Sequence, residues 1–192
     1  KKIKRYIFSN SIVTHGHPRA ILGALFFGLS LDTIFTFRSD SFNPLKYLEL
    51  IGNSIHEELD LDFLAEFPYS SWITEWNSEH PSTFLESYAK TTEELLNLMR
   101  CVYKGVKDNI GDKQMLEMLG CFNPESKSSG IGTVAAGIYF ACKYHNNPEY
   151  SVTKAVNSLG SDTDSIAAFA GALTGALHGI SAIPVIWRDI QD

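Results

Sequence analysis

The sequence predicts an all-α protein, a compact multi-helix domain that covers residues 1–192. Apolar residues recur at intervals of three and four along most of the chain, which is the spacing of helices with one buried face. No segment shows the strict alternation of apolar and polar residues that marks a half-buried strand. The hydrophobic content of 44% and charged content of 20% are typical of a globular protein, and 192 residues suffice for one sizeable core.

Proline, glycine and polar clusters divide the chain into helices. Pro18 stands where the first turn of a helix accepts proline, and Ile21, Leu22, Leu25 and Phe26 follow on one face. The turn-forming residues 122–130 predict a clear loop. Further helices are expected over residues 45–59, 82–105, 113–119, 131–144, 149–159 and 164–179.

Charge and cysteine content exclude several classes of protein. The net charge of −6 disfavours nucleic acid as a partner, because phosphate binding requires a basic surface. The basic run at residues 1–5 is expected to be a solvated terminus. No apolar stretch is long enough to span a membrane, so no membrane partner is expected. Three widely spaced cysteines indicate neither a disulfide framework nor a zinc site, and they favour a reducing, cytoplasmic location.

The most informative segment is residues 160–179, a Gly-Ser-Asp-Thr-Asp-Ser turn followed by a helix rich in alanine and glycine. Gly171, Gly175 and Gly179 are spaced by four residues. Each glycine inside a helix costs about 1 kcal/mol relative to alanine. We therefore expect this face to pack closely on other backbones, and the helix to be central in the fold.

Two acids, Asp162 and Asp164, precede this helix closely, with a hydroxyl at Ser165. If buried, two carboxylates so close together repel each other unless a cation neutralises them, and Mg²⁺ is a hard cation that binds oxygen ligands. The alternative is an ordinary helix N-cap, which the spacing alone favours over a metal site. Both interpretations stay open at this point.

Residues Ala155–Trp187 resemble the closing signature of the ADP-ribosylglycohydrolase family. That signature is a G-G-D-T-D-T-I-A turn, an A-G-A-x-x-G-A helix, an I-P pair and a tryptophan, and here it reads AVNSLGSDTDSIAAFAGALTGALHGISAIPVIW. Ser11–Gly23 resembles the family's T-H-x-x-P-x-A helix more weakly. Gly130–Tyr139 likewise resembles its loop-to-helix segment.

The resemblance implies an all-α fold with a binuclear metal site, expected to hold two Mg²⁺ ions, with Mn²⁺ as an alternative. By resemblance, Asp162 and Asp164 are the catalytic residues and metal ligands, and Ser165 stands where the family has a ligating threonine. Serine keeps the hydroxyl and loses only a methyl group. Ser161 replaces the commoner second glycine, which is expected to alter the turn.

The resemblance also implies substrate-binding residues. It places His15 beside the ADP-ribose pocket, and Ser128, Ser129 and Gly130 where backbone lines the ribose or phosphate part. The alternative for His15 is a core-facing residue that binds a backbone carbonyl. The alternative for residues 128–130 is an ordinary flexible loop.

The implied chemistry is hydrolysis of the bond between ADP-ribose and its acceptor. The family's early G-D-A-x-G and T-D-D-T motifs are absent, and the other close acids, at positions 57–58, 60–62 and 93–94, are expected on solvated faces. The chain is therefore expected to supply the C-terminal half of the site, with the rest on a longer precursor, as the non-Met first residue suggests, or on a second chain. The alternative is an inactive module that binds ADP-ribose or a partner, or a structural protein, as some lens crystallins resemble this family.

Overall fold

The computed structural model describes residues 2–189, which form eleven α-helices and three short 3₁₀ helices without any strand. The all-α prediction is therefore confirmed. None of the helices in this range has the length and apolarity needed to cross a bilayer. The α-helices are α1 (Lys2–Ile12), α2 (Pro18–Ile34), α3 (Pro44–Asn53), α4 (Ile55–Glu58), α5 (Tyr69–Glu79), α6 (Phe84–Lys107), α7 (Asp112–Met118), α8 (Gly130–Lys143), α9 (Pro148–Val156), α10 (Thr163–His178) and α11 (Val185–Arg188). The 3₁₀ helices are Ser39–Ser41, Asp62–Ala65 and Ile180–Ala182.

Helix α8 is the centre of the fold, because every residue from Ile131 to Cys142 is buried. It packs against α2, α6, α9 and α10.

The expectation that α10 is the surrounded helix is wrong. Helix α10 turns its larger side chains inward, whereas a methyl group added at Gly175 or Gly179 would meet no neighbour within 4 Å. The glycine spacing identified a common face of this helix, which is open at these two glycines, whereas a methyl group on Gly171 would lie 3.3 Å from the Val152 side chain of α9.

Helices α2 and α8 approach each other most closely near their first turns. A methyl group built on Gly23 would lie 2.6 Å from the carbonyl carbon of Gly130. A methyl group on Gly130 would in turn lie 2.6 Å from the backbone oxygen of Arg19. Real side-chain carbons do not come this close to backbone, so both positions require glycine.

Further contacts show that α2, α8 and α10 run in the same direction. Midway along, the rings of Phe27 in α2 and Phe169 in α10 are 4.6 Å apart, and Gly137 of α8 packs against the same Phe169. At the far end, the His178 ring nitrogen Nε2 donates to the backbone oxygen of His145, 2.5 Å away. The amino-terminal ends of the three helices therefore lie at the same end of the core.

Helix α1 includes most of the basic run that was expected to be a solvated terminus, and that expectation is wrong for Lys4 and Arg5. Lys4 forms an ion pair with Asp60. The Arg5 guanidinium donates to both carboxylate oxygens of Glu66, at 2.7 and 2.6 Å. Phe8, on the same helix, is fully buried. Charge pairing and apolar packing thus hold α1 against the segment 60–66, and Asp60 is not simply a solvated acid.

Several helices differ from their predicted extent. The helix expected over residues 45–59 is interrupted at Ser54, where α3 ends and α4 begins. Gly52, Asn53 and Ser54 are all weak helix formers, which explains the interruption. The long helix α6 begins with a capping box, because Thr83 and Glu86 each bind the backbone N–H of the other.

A partly buried polar network joins α7 to the end of α8. Lys143 Nζ donates to Asp112 Oδ1 at 2.8 Å, and the hydroxyls of Tyr139 and Tyr144 donate to the same carboxylate at 3.0 and 2.8 Å. Burial alone would raise the pKa of the Asp112 carboxyl, but these donors outweigh it and leave the pKa below its ordinary value of 3.8.

Removal of the Lys143 charge is expected to weaken the fold. The variant Lys143→Met should lower the free energy of unfolding by about 2 kcal/mol at pH 7, because Asp112 loses its counter-ion in a partly buried site. Since the folded pKa of Asp112 is lowered, its stabilising effect is present above pH 4 or so and is lost as the pH falls through that folded pKa. Urea denaturation should therefore show a smaller difference between variant and wild type at the most acidic pH where both remain folded. An equal difference at both pH values would contradict this account.

Candidate functional site

The turn before α10 has a backbone that only its glycine accommodates easily. Gly160 has a φ of +94°, in the left-handed region that residues with a side chain rarely adopt. Ser161 has no positive φ, and its hydroxyl donates to the backbone oxygen of Ser158 at 2.7 Å. The serine at the family's second glycine position is therefore compatible with this turn, and its hydrogen bond stabilises the turn.

Asp162 is the N-cap residue of α10, but its side chain does not cap the helix. Its backbone oxygen accepts the first helical hydrogen bond from Ile166 N–H at 3.0 Å, while its carboxylate accepts none from the amides of the turn. The carboxylate is half-buried. The N-cap alternative therefore describes the backbone of Asp162 and leaves its carboxylate oxygens available to a ligand.

Asp164 lies beside Asp162 at the surface. The pKa of the Asp164 carboxyl is lowered, first by hydrogen bonding with the Asp162 carboxyl and then by the backbone N–H groups of Ser165 and of Asp164 itself. Asp164 is exposed and Asp162 is half-buried, so the condition of two buried carboxylates is not met. The structure does bring the two carboxyl groups together. The Ser165 hydroxyl, half-buried in the same turn, makes no hydrogen bond within residues 2–189.

The ligand types in this turn fit a hard divalent cation. Asp162, Asp164 and Ser165 offer only oxygen donors, and two adjacent carboxylates supply the negative charge that Mg²⁺ or Mn²⁺ requires. Over the described range 2–189, no cluster of three or more His, Cys, Asp or Glu side chains is placed to hold a metal. These three residues could therefore provide only part of a coordination shell.

Cys121 lies near Asp162, and no sequence pattern predicted this proximity. Burial and, secondarily, the negative charge of Asp162 raise the pKa of the Cys121 thiol to about 12. The next residue, Phe122, packs its ring over Gly160, 3.6 Å from a methyl group built there. The loop before α8 thus supports the acidic turn, through contacts between residues far apart in sequence.

The predicted substrate-binding segment 128–130 forms the start of α8. Ser129 is the N-cap residue without a side-chain cap bond, Ser128 is exposed, and Gly130 packs on α2. The preceding loop is a series of hydrogen-bonded turns, in which Ser126 Oγ donates to the Gly120 oxygen and Ser129 N–H donates to the Ser126 oxygen, each at 2.9 Å. These hydrogen bonds connect the loop to the start of α8.

His15 lies in the turn between α1 and α2. Its ring is exposed, and its Nδ1 is 2.9 Å from the Thr14 hydroxyl. It is not the core-facing residue bound to a backbone carbonyl that was considered as an alternative. Because α2, α8 and α10 start at one end of the core, His15 lies at the same end as Ser129 and Asp162.

A groove of about 650 Å³ borders the acidic turn on the side of α7 and α9. Phe122 and Leu159 contribute apolar surface, while Asp112 and Lys154 contribute charged groups. Its volume is in the range of sites that bind small molecules. Space for a ligand therefore lies next to the segment that precedes Asp162.

Comparison with known proteins gives one match. The model of the ADP-ribosylglycohydrolase family, whose members are glycosidase-type hydrolases, matches residues 1–191. This confirms the family that the closing signature resembled. A search of curated proteins and a search of solved structures each found no match.

Proposed function

Because this chain belongs to the ADP-ribosylglycohydrolase family, we propose that it takes part in metal-dependent removal of ADP-ribose from an acceptor. The proposal includes two Mg²⁺ ions, replaceable by Mn²⁺, with Asp162, Asp164 and Ser165 as ligands. The observation that carries it is the half-buried Asp162 carboxylate, which sits beside a second carboxylate and caps no helix amide. A carboxylate that served only as an N-cap would bind the amides of its own turn.

The residues of this chain have separate tasks in the proposed reaction. Asp162 and Asp164 bind the cations at the start of α10. The first amide N–H groups of α8, after Ser129, have no partner within the helix and are suited to a phosphate or ribose oxygen. His15 borders the substrate at the same end of the core. The bound ions would supply a Lewis acid that orients the ribose and lowers the pKa of a water molecule.

The remaining ligands are proposed to come from outside the described segment. Two carboxylates and one hydroxyl would leave most positions of two octahedral shells to water, and their two negative charges would not balance two divalent ions. We propose that a longer chain or a second chain supplies the other acids, and that the reaction takes place in the cytoplasm. The second candidate function is an inactive module that binds ADP-ribose or a partner, or a structural role. The small number of acids at the site favours it.

Metal removal tests the proposed function. In the complete protein, dialysis against EDTA should abolish release of ADP-ribose from an ADP-ribosylated substrate, and added Mg²⁺ or Mn²⁺ should restore it, because the ions organise the site. Product can be measured by chromatography. Full activity in the metal-free protein would overturn the metal dependence, and no activity under any metal condition would favour the inactive module.

Two matched variants test whether Ser165 is a metal ligand. Ser165→Thr restores the family's residue and should keep metal affinity, whereas Ser165→Ala removes the hydroxyl and should weaken it by roughly tenfold, the lower end of the effect of altering a metal site. Calorimetric titration with Mn²⁺ measures both. Equal affinity in both variants would remove Ser165 from the ligand set.

A further inference from the structure

A second cavity, between α2, α5 and α6, is lined by cationic and hydroxyl groups. It has a volume of about 320 Å³, and we call it the α2–α6 cavity. None of its lining residues belongs to the proposed metal and sugar site. The residues that matter here are His17, Arg19, Trp76, His80, Lys90 and Glu94.

The charge in the α2–α6 cavity is opposite in sign to that of the protein. Arg19 and Lys90 carry two positive charges against the single negative charge of Glu94, whereas the whole chain has a net charge of −6. Such a local positive excess attracts anions. Glu86, one turn before Lys90 on α6 and outside the lining, keeps its negative charge while the Thr83 N–H and hydroxyl donate to it, and that charge acts on Lys90.

Arg19 is held in place with donors to spare. Its Nε and Nη2 donate to the two oxygens of Glu94 at 2.8 and 2.9 Å. A guanidinium has five N–H donors, so the Nη1 group remains available. This ion pair fixes the plane of the guanidinium in advance of any ligand. Lys90 donates no hydrogen bond to another residue in the range 2–189 and can turn toward the same space.

The contacts of the two histidines define their tautomers, and only His17 has a ring N–H that remains available to a ligand. His17 Nδ1 accepts from Arg19 N–H at 3.1 Å, so the ring proton resides on Nε2. Burial, with the nearby charge of Arg19, lowers the pKa of His17. His80 donates through Nδ1 to the Trp76 oxygen at 2.8 Å and stacks on the Trp76 ring at 3.7 Å. Trp76 donates its own indole N–H to the Gly16 oxygen, which ties this wall to the start of α2.

We propose that the α2–α6 cavity binds a phosphate dianion, either inorganic phosphate or the phosphate of a small phosphomonoester. A fixed guanidinium, an exposed ammonium and an imidazole N–H are groups that recognise phosphate. The hydroxyls of Ser82 and Ser87, also in the lining, can donate as well. The cavity requires no metal ion. It adjoins the proposed substrate site, because Arg19 and Glu94 also line a neighbouring groove that includes Ser129, but phosphate binding there does not depend on the proposed hydrolysis.

Titration of the protein with inorganic phosphate tests this proposal. Divalent metal is left out, and chloride keeps the ionic strength constant. The indole N–H signal of Trp76, assigned with Trp76→Phe, should shift in a saturable way with a millimolar Kd, and the pKa of His17 should rise when the dianion binds. Glycerol 2-phosphate is titrated in parallel, and tighter binding than for phosphate would identify a phosphomonoester as the ligand. The absence of saturable shifts with both probes would overturn the proposal.

Matched variants locate the binding site. Lys90→Ala should weaken phosphate binding by about tenfold, equivalent to 1.4 kcal/mol. Lys104→Ala is the control, because Lys104 is exposed on the same helix, roughly 21 Å away at 1.5 Å per residue. His17→Asn should weaken binding severalfold while it keeps a favourable N-cap residue for α2. Equal affinities for Lys90→Ala and Lys104→Ala, or displacement of phosphate by ADP-ribose, would contradict a separate site.

Discussion

The variant Asp162→Asn should lose both Mg²⁺ binding and hydrolysis of an ADP-ribosylated substrate in the complete protein. We expect hydrolysis to fall at least about 100-fold, because even the outer hydrogen-bond partners of metal ligands change affinity or activity by 10- to 100-fold. Asparagine keeps the size and the N-cap preference of aspartate, so α10 should still form. Calorimetric titration with Mg²⁺ and release of ADP-ribose measure the two effects.

Asp40→Asn is the matched control for this loss. Asp40 is exposed and paired with Arg38, and it lies beside Phe42, whose ring is 5.6 Å from His145 at the opposite end of the core from Asp162. This variant should keep full metal binding and activity. An Asp162→Asn protein that is folded and as active as Asp40→Asn would remove Asp162 from the site.

The variant Gly23→Ala should have the largest effect on stability. Its new methyl group would lie 2.6 Å from the carbonyl carbon of Gly130, so α2 and α8 would have to move apart. Overpacking of this kind costs about 1–3 kcal/mol, and each kcal/mol lowers the Tm of a protein of this size by roughly 2–4 °C. Thermal unfolding followed by circular dichroism measures the change.

Gly175→Ala is the same substitution at the open face of α10. A methyl group there meets nothing within 4 Å, so the helix should gain about 0.5–1 kcal/mol from the better propensity of alanine. The two variants are therefore expected to shift the Tm in opposite directions. A shift of the same sign and size in both would contradict the close approach of α2 and α8.

The sequence predicted features that depend on neighbouring residues. Pro18 marked the start of α2 because proline fits only the first turn of a helix, and the buried run from Ile131 onward predicted α8. The prediction for α10 was right about its extent and wrong about its surroundings. Periodicity shows which residues share a face, but it cannot show which elements pack against that face.

Contacts between distant segments explain what the sequence could not predict. The basic residues of α1 looked like a solvated end until the fold placed Asp60 and Glu66 beside them. For the same reason Cys121 could not be associated with Asp162. The candidate ligands themselves were found because Asp162, Asp164 and Ser165 lie within one turn, where local spacing is informative. The burial of these residues could not be predicted, because exposure to solvent depends on the whole fold.

The central claim is that Asp162 and Asp164 hold a divalent cation at the start of α10. Crystals of the complete protein grown with Mn²⁺, measured for anomalous scattering, test it most directly. We predict a manganese peak with oxygens of both carboxylates at about 2.0–2.4 Å, the range of oxygen ligands to hard divalent cations. A peak elsewhere, with the two carboxylates bound only to the amides of their own turn or to solvent, would contradict the claim.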